Sequence, residues 1–335
     1  MKKTFLLFAC FVTCFSVFAQ QADSLQKLAR MQTQTGNYDT AYLTLQLALQ
    51  QKPGDLDITK DQAFVCYLKR DFENGLRIGK TLTERPDADV QCFQILGWIY
   101  KSLAEYGEGD KMYKAAIKKF PESGVLYSEY GDLLLQNSQP NDAIDIWEKG
   151  IKADVNNNSN YYYASKYYAD NGNLLWSLLY GEIFVNIESY TPRTEEIKKL
   201  LYNGYTKLFT GNTLAKINEK SKGLTKAITD ILLKNNSSIQ AGDTILNITG
   251  IRQKFIVDWV NSGNAKQFPF RLFGLHRQLV DAKTFTAYNE WLFGEAADAD
   301  AFKKWQGTHA EEMKQWQQLL HSVVFKIPSG QYYTN

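Results

Sequence analysis

The feature that most constrains this chain is a spacing. Counting from Val90, the residues Phe93, Leu96, Gly97, Tyr100, Tyr106, Tyr113, Ala116 and Pro121 fall at positions 4, 7, 8, 11, 17, 24, 27 and 32 of a frame. The frame restarts 34 residues later at Gly124, where Tyr127, Tyr130, Gly131, Leu134, Ala143, Trp147 and Gly150 hold positions 4, 7, 8, 11, 20, 24 and 27. It restarts again at Asn158, with Tyr161, Ala164, Ser165, Tyr168, Gly172 and Gly181. Counting back, Leu25, Leu28, Gly36, Tyr38, Ala41, Leu45, Ala48 and Pro53 fit a unit that starts at Ala22. A degenerate unit near Leu56 keeps Ala63, Arg70-Asp71-Phe72 and Gly75, and its Pro86 comes one place early. A repeat of this length marks a unit that cannot bury its apolar face alone and stacks on its neighbours.

The pattern resembles the tetratricopeptide repeat (TPR), a helix-turn-helix unit, over about residues 22–189. The resemblance implies a TPR α-solenoid of about five helix-turn-helix repeats; with the helical spacing of the rest of the chain, the expected fold is all-α, the solenoid followed by a C-terminal helical domain. Small residues at positions 8, 20 and 27 let helix backbones approach. Larger ones at 4, 7, 11 and 24 fill the space between helices, and the proline near 32 stops the second helix. The expected organisation is a signal peptide over 1–19, repeats over 20–189, a capping helix and linker over 190–223, and a helical domain over 224–335. Thr191 and Pro192 suit the start of the capping helix. The polar, glycine-flanked stretch 211–223 is the expected boundary. Beyond it, "LTKAITDILLKNN", "IRQKFIVDWV" and "FRLFGLHRQLV" carry apolar residues at helical spacing. Four of the seven tryptophans lie in this half, which suggests an aromatic core.

The leader "MKKTFLLFACFVTCFSVFA" has two lysines, an apolar run and a small-residue end at Ala19, the form of a cleaved signal peptide. Its apolar run of about fifteen residues is short of the roughly 20 needed to span a bilayer. Lipid attachment fits less well: Cys10 has almost no apolar run before it, and no small residue directly precedes Cys14. The expectation is therefore export, to the periplasm or beyond the cell, with no transmembrane span in the mature chain. Of 38 basic residues two leave with the leader, so 36 face 36 acidic ones. With no basic stripe, nucleic acid is not an expected partner. Cys66 and Cys92 remain. They stand at positions 11 and 3 of neighbouring first helices, about 12 Å apart along the axis. Disulfides need Cα atoms within about 7 Å, so two free, buried thiols are expected.

No catalytic constellation, metal site or cofactor motif is expected. In "HAEEMKQWQQLLH" the two histidines are twelve residues apart, about 18 Å by helical rise, so His309 and His321 cannot share a zinc ion. His276 and Glu290 are the residues that an enzyme reading of the 224–335 region would need.

Five tyrosines crowd "YYYASKYY", residues 161–168. Register makes Tyr161 and Tyr168 core and turns Tyr167 toward a neighbouring helix. In the family, positions 2, 5, 6, 9, 12 and 13 face the concave groove. The resemblance therefore implies a groove lined by Lys27, Arg30, Phe64, Tyr67, Trp98, Lys101, Glu129, Asp132, Tyr162, Tyr163 and Lys166. Exposed aromatic residues on a rigid wall call for a cover, and aromatic rings supply much of the energy of protein interfaces. The expected ligand is a protein or peptide segment, the expected role a non-catalytic scaffold or adaptor in the cell envelope. The alternatives are a structural subunit of an envelope assembly, an enzyme sited in the C-terminal region, and a groove filled by the chain's own C-terminal domain. The family's clamp for a terminal carboxylate needs cationic residues in adjacent repeats. Here an acidic repeat separates Lys101 from Lys166, so that specificity does not carry over.

Overall fold

The computed structural model describes residues 20–235, 244–322 and 324–334; the expected signal peptide lies outside them. The described residues form nineteen helices and no strand. Ten make five successive pairs: α1 (20–34) with α2 (Tyr38–Gln51), α3 (Leu56–Leu68) with α4 (Phe72–Glu84), α5 (Val90–Ser102) with α6 (Tyr106–Lys119), α7 (Gly124–Gln136) with α8 (Pro140–Ala153), and α9 (Asn158–Asp170) with α10 (Leu174–Ile187). None of these helices is long and apolar enough to cross a membrane, nor is any other among the described residues.

The backbone repeats more strictly than the sequence. Gly36, Arg70, Ala104, Ser138 and Gly172, each 34 residues after the last, all have positive φ, between 55° and 80°. Each stands at the turn inside a pair. There the first helix is closed by a hydrogen bond spanning five residues, such as Asp71 N to Cys66 O (2.9 Å) and Glu105 N to Tyr100 O (2.9 Å). This is a left-handed cap that satisfies terminal carbonyls. The degenerate second repeat makes the same turn with Arg70 in place of glycine. Small residues bring the helices together as expected: a Cβ on Gly97 would lie 1.9 Å from the Tyr113 hydroxyl.

Packing divides the chain between Ala143 and Ile144, inside α8. It does not divide in the polar stretch 211–223, which carries α12 (Thr213–Lys220) and packs on its neighbours. In the first unit Ala41, Leu45, Ala48, Ile58 and Val65 form a core. Cys66 and Cys92 are free and fully buried there. Burial pushes the Cys66 thiol up to about 12 and that of Cys92 up to about 11.

The second unit is built around α10. Twelve of its fourteen residues are buried, because α9 packs on it from one side and α11 (Pro192–Leu208) from another. The remaining helices are α13 (Gly223–Asn235), α14 (Thr244–Asn261), α15 (Asn264–Gln267), α16 (Arg271–Asp281), α17 (Phe285–Ala297), α18 (Ala299–Thr308) and α19 (Ala310–Ser322). Between α16 and α17 the repeat turn recurs: Lys283 has φ 58°, and Thr284 N donates to Leu279 O.

At the centre lies Glu182, fully buried. Its carboxylate accepts from Arg252 of α14, from His276 of α16 (2.8 Å), from the Tyr288 hydroxyl of α17 (2.8 Å) and from the Tyr205 hydroxyl of α11 (2.7 Å). Arg252 also donates to Asn289 and lies against the Tyr205 ring, 4.8 Å from its centroid. Burial alone would raise the pKa of Glu182, but the adjacent guanidinium and the donors outweigh it and hold the group below its ordinary 4.5. Burial takes His276 below its ordinary 6.5, so the ring is neutral and its Nε2–H donates to the carboxylate.

Residues 324–334 run without helix across this unit. The Asn156 side chain donates to Ile327 O (3.0 Å) and accepts from Ile327 N (2.8 Å), while the Tyr180 hydroxyl donates to Tyr333 O (3.2 Å).

Two outcomes are expected. Ala104→Gly removes a left-handed alanine that costs about 1–2 kcal/mol. Glycine's extra freedom in the unfolded chain offsets about half of this. The melting temperature should therefore rise by a few degrees. Glu182→Gln leaves Arg252 buried without a counter-charge and should cost about 3–5 kcal/mol in urea unfolding. In the native protein both Glu182 and His276 bind protons less readily than in the unfolded chain. Stability is therefore full above about pH 6.5 and is lost on acidification, first through His276 and then through Glu182 below 4.5. The Glu182→Gln protein should show a flatter decline.

Candidate partner-binding surface

In the first unit, α3 packs on α5 and α5 on α7, so the first helices of successive pairs stand side by side. Polar side chains tie each to the next. Arg30 donates to Asp61 at 2.7 Å, and Gln26 reaches the same oxygen. Lys60 bridges Asp57 (2.8 Å) and Asp89 (2.5 Å). Lys101 bridges Glu129 (2.7 Å) and Asp132 (2.6 Å), and the Trp98 indole donates to the other Glu129 oxygen (3.1 Å). Burial would lower the Lys101 pKa, yet its two carboxylates outweigh this and raise it, so it stays charged.

Phe64, Tyr67 and Trp98 meet across α3 and α5. Centroids are 6.2 Å apart for Phe64–Tyr67 and 5.8 Å for each of the other two pairs. All three rings are half-buried. Lys27 is exposed. Of the residues assigned to the groove in this unit, Arg30, Lys101 and Asp132 are engaged within the ladder, and the ring trio is left as an apolar step beside it.

In the second unit Tyr161 and Tyr168 are buried. Tyr162, placed in the groove by register, is only 8% exposed. Its hydroxyl donates to Glu196 of α11 (2.6 Å), its ring touches Phe184, and the Arg193 guanidinium lies 5.0 Å from its centroid. Lys166 pairs with the same Glu196 at 2.7 Å, and Tyr163 stacks on Trp147 with centroids 5.1 Å apart. The physical reason is that α11 packs against α9 where a further repeat would place its first helix. It carries Glu196 to Tyr162 as α7 carries Glu129 to Trp98.

His276 lies in the sealed Glu182 cluster, 3% exposed. Glu290 is buried and lines a cavity of about 370 Å³ with Tyr202, Phe302 and Trp305. His309 stacks on Trp305 at 4.5 Å. The side chain of His321 lies outside the described residues. Asp61, Arg193, Glu196 and, apart from His276, the members of the Glu182 cluster were not foreseen from the sequence. The one signal for the last was a lone carboxylate in the apolar run "LLWSLLYGEIFVNI".

No family model matches the chain, and no curated protein matches it. Among solved structures it is similar to TTC0263, a thermophilic TPR protein of Thermus thermophilus. There the identity is 16%, the match covers 54% of this chain and 98% of that one, and the TM-score is 0.46. It is also similar to PilF of Pseudomonas aeruginosa, with 16% identity, 57% and 91% coverage and a TM-score of 0.46. A third is a point mutant of MamA, with 15% identity, 54% and 97% coverage and a TM-score of 0.35. The repeat assignment stands on the chain's own 34-residue period in sequence and in backbone.

Lys101→Met strands two mostly buried carboxylates and should lower stability by about 1.5–3 kcal/mol. Adding Asp132→Asn should restore part of that loss, measured as denaturation midpoints of the two proteins.

Proposed function

We propose that this protein is an exported, non-catalytic interaction scaffold of the cell envelope that holds a segment of a partner protein on the face formed by α3, α5 and α7. The observation that carries this is the Phe64–Tyr67–Trp98 trio: three half-buried rings on adjacent helices, beside a ladder whose charges are largely paired. A rigid aromatic step of this kind gains most from an inserted apolar side chain. Beside it Lys101, Glu129 and Asp132 together carry one net negative charge. The favoured segment therefore has an apolar or aromatic anchor flanked by a basic residue. Lys27 and the trio are the proposed contact residues in this unit, with Lys101 and Asp132 setting the charge. In the second unit Tyr163 and Lys166 are half-buried and keep a proposed peripheral role, whereas α11 already covers Tyr162. Export rests on the leader sequence.

A second reading is a permanent subunit of an envelope assembly. The side chains that favour it are Met31 (63% exposed), Leu43 (58%) and Leu47 (50%), apolar and open on the first pair of helices.

A photoreactive residue at Tyr67, with one at the outward Lys114 as control, tests the first reading in cells. One dominant foreign protein should link at Tyr67, be absent from the control, and fall at least tenfold with Trp98→Ala. Equal linking at both positions, or linking unaffected by Trp98→Ala, would overturn the proposal. Crosslinks confined to positions 43 and 47 would favour the permanent subunit.

A further inference from the structure

The loop side of the fifth pair carries a segment of the same chain: residues 324–334 lie on it without helix or strand. We propose that this is a binding site for an extended segment of a partner protein, one with two apolar side chains two residues apart and a proline after the second, and that residues 324–334 fill it until such a segment replaces them. The site lies in the second unit and is independent of the partner surface on the first.

What the site reads is visible in its occupant. Burial alternates along it: Val324 is 82% exposed, Phe325 8%, Lys326 exposed, Ile327 4% and Pro328 exposed. That is the period of an extended chain with one face down. The Asn156 amide donates to Ile327 O (3.0 Å) and accepts from Ile327 N (2.8 Å), so both backbone groups of one residue are paired whatever its side chain. Further along, the Tyr180 hydroxyl donates to Tyr333 O (3.2 Å). Main-chain bonds of this kind supply affinity for an extended peptide, and the alternate side chains supply choice. The Arg271 guanidinium lies 5.0 Å from the Phe325 ring centroid, which suits an aromatic ring at the first position. Pro328 brings no N–H to satisfy and favours an extended Ile327 before it.

The chain's own segment fits this site incompletely. A cavity of about 470 Å³ stays open between residues 152–156 and 326–330, beside Ser329 and Gly330, which have little side chain to fill it. The Gln331 side-chain oxygen is buried with no hydrogen-bond donor among the described residues, a cost that hydration removes once the segment lifts. No strand pairs with 324–334 among the described residues, so lifting breaks no ladder. A segment with a larger side chain two places after its second apolar anchor fills the space better and displaces this one.

The test uses the mature full-length protein and a fluorescent peptide with the sequence VFKIPSGQYYT, that of residues 324–334. The tethered segment competes at an effective concentration of about a millimolar, so the unaltered protein should take up the peptide weakly. Ile327→Asp unseats the tethered segment. That protein should bind the peptide saturably and about tenfold more tightly or better. Adding Asn156→Ala should weaken binding about tenfold, the equivalent of two backbone hydrogen bonds. In the peptide, Ser329→Leu should tighten binding, and Phe325→Ser with Ile327→Ser should abolish it. Binding indifferent to the peptide's Phe and Ile, or no saturable binding by an Ile327→Asp protein that still unfolds cooperatively, would overturn the proposal. So would a concentration-dependent dimer of the unaltered protein that Ile327→Asp abolishes, because the site would then take the segment of a second copy. Hydrogen exchange on the unaltered protein decides the matter if the variant does not fold. The Ile327 amide should exchange orders of magnitude faster than the amides of α10, and equal protection would count against the proposal.

Discussion

The second unit depends on one buried charge pair. Glu182 and Arg252 face each other with almost no exposure. Two ions in that setting are tolerable only when every remaining lone pair and proton is met. Here they are met from four helices besides the one that carries Glu182: Arg252 from α14, His276 from α16, Tyr288 and Asn289 from α17, and Tyr205 from α11. Each of these helices has to be in place for the carboxylate to be satisfied. The cluster therefore specifies an arrangement more than it adds to stability, since an apolar replacement of equal shape would avoid the desolvation cost altogether. It also explains why packing does not divide the chain at the polar stretch 211–223. The last repeat helix carries the acid and the later helices carry its partners, so they share one core.

A smaller version of the same logic runs along the first helices of the pairs. Arg30–Asp61, Lys60–Asp89, Lys101–Asp132 and Lys166–Glu196 each tie one first helix to the next element in line. Arg30–Asp61 and Lys166–Glu196 are partly exposed and worth little alone, whereas Lys101–Asp132 is mostly buried. Their consequence is for the surface. A charged side chain engaged with its neighbour is a poorer handle for a partner, because a partner must first replace that bond. The faces of aromatic rings have no such competitor, although the Trp98 indole N–H is already donated to Glu129. On the proposed partner face this favours Phe64, Tyr67 and Trp98 as contacts over Arg30 or Lys101.

The repeats were legible in the sequence because their packing is periodic and needs the same size of residue at the same place. The backbone is more regular still: the left-handed residue recurs at Arg70, Ala104 and Ser138, where no glycine announces it. The two thiols were legible for a geometric reason, an eight-residue offset between Cys66 and Cys92. Register placed Tyr162 in a groove but could not foresee the α11 side chains that bury it. Whether a groove position is open depends on the next helix in line, and α11 carries no repeat signature. The Glu182 cluster lay further out of reach. Its other members stand 23 to 107 positions along the chain from Glu182, and nothing in the local pattern of any one helix pairs it with another.

The fifth pair of helices is closed from two directions. On its groove side α11 brings Glu196 and Arg193 over Tyr162. On its loop side residues 324–334 lie against it, with the Asn156 amide meeting both backbone groups of Ile327 and the Tyr333 ring set 5.5 Å from Phe270. An asparagine that satisfies a donor and an acceptor on one residue holds an extended chain without reading its side chains, and Phe325 and Ile327 supply the buried apolar anchors. A repeat whose faces are already occupied by its own chain has no edge on which another helix pair could stack, so the array ends there. The same closure buries Tyr162 of α9 and leaves its Tyr163 and Lys166 half-buried. An aromatic surface left half-open by the repeat packing remains in the first unit, on α3 and α5, where α7 meets the Trp98 indole N–H but leaves the Phe64, Tyr67 and Trp98 rings half-buried.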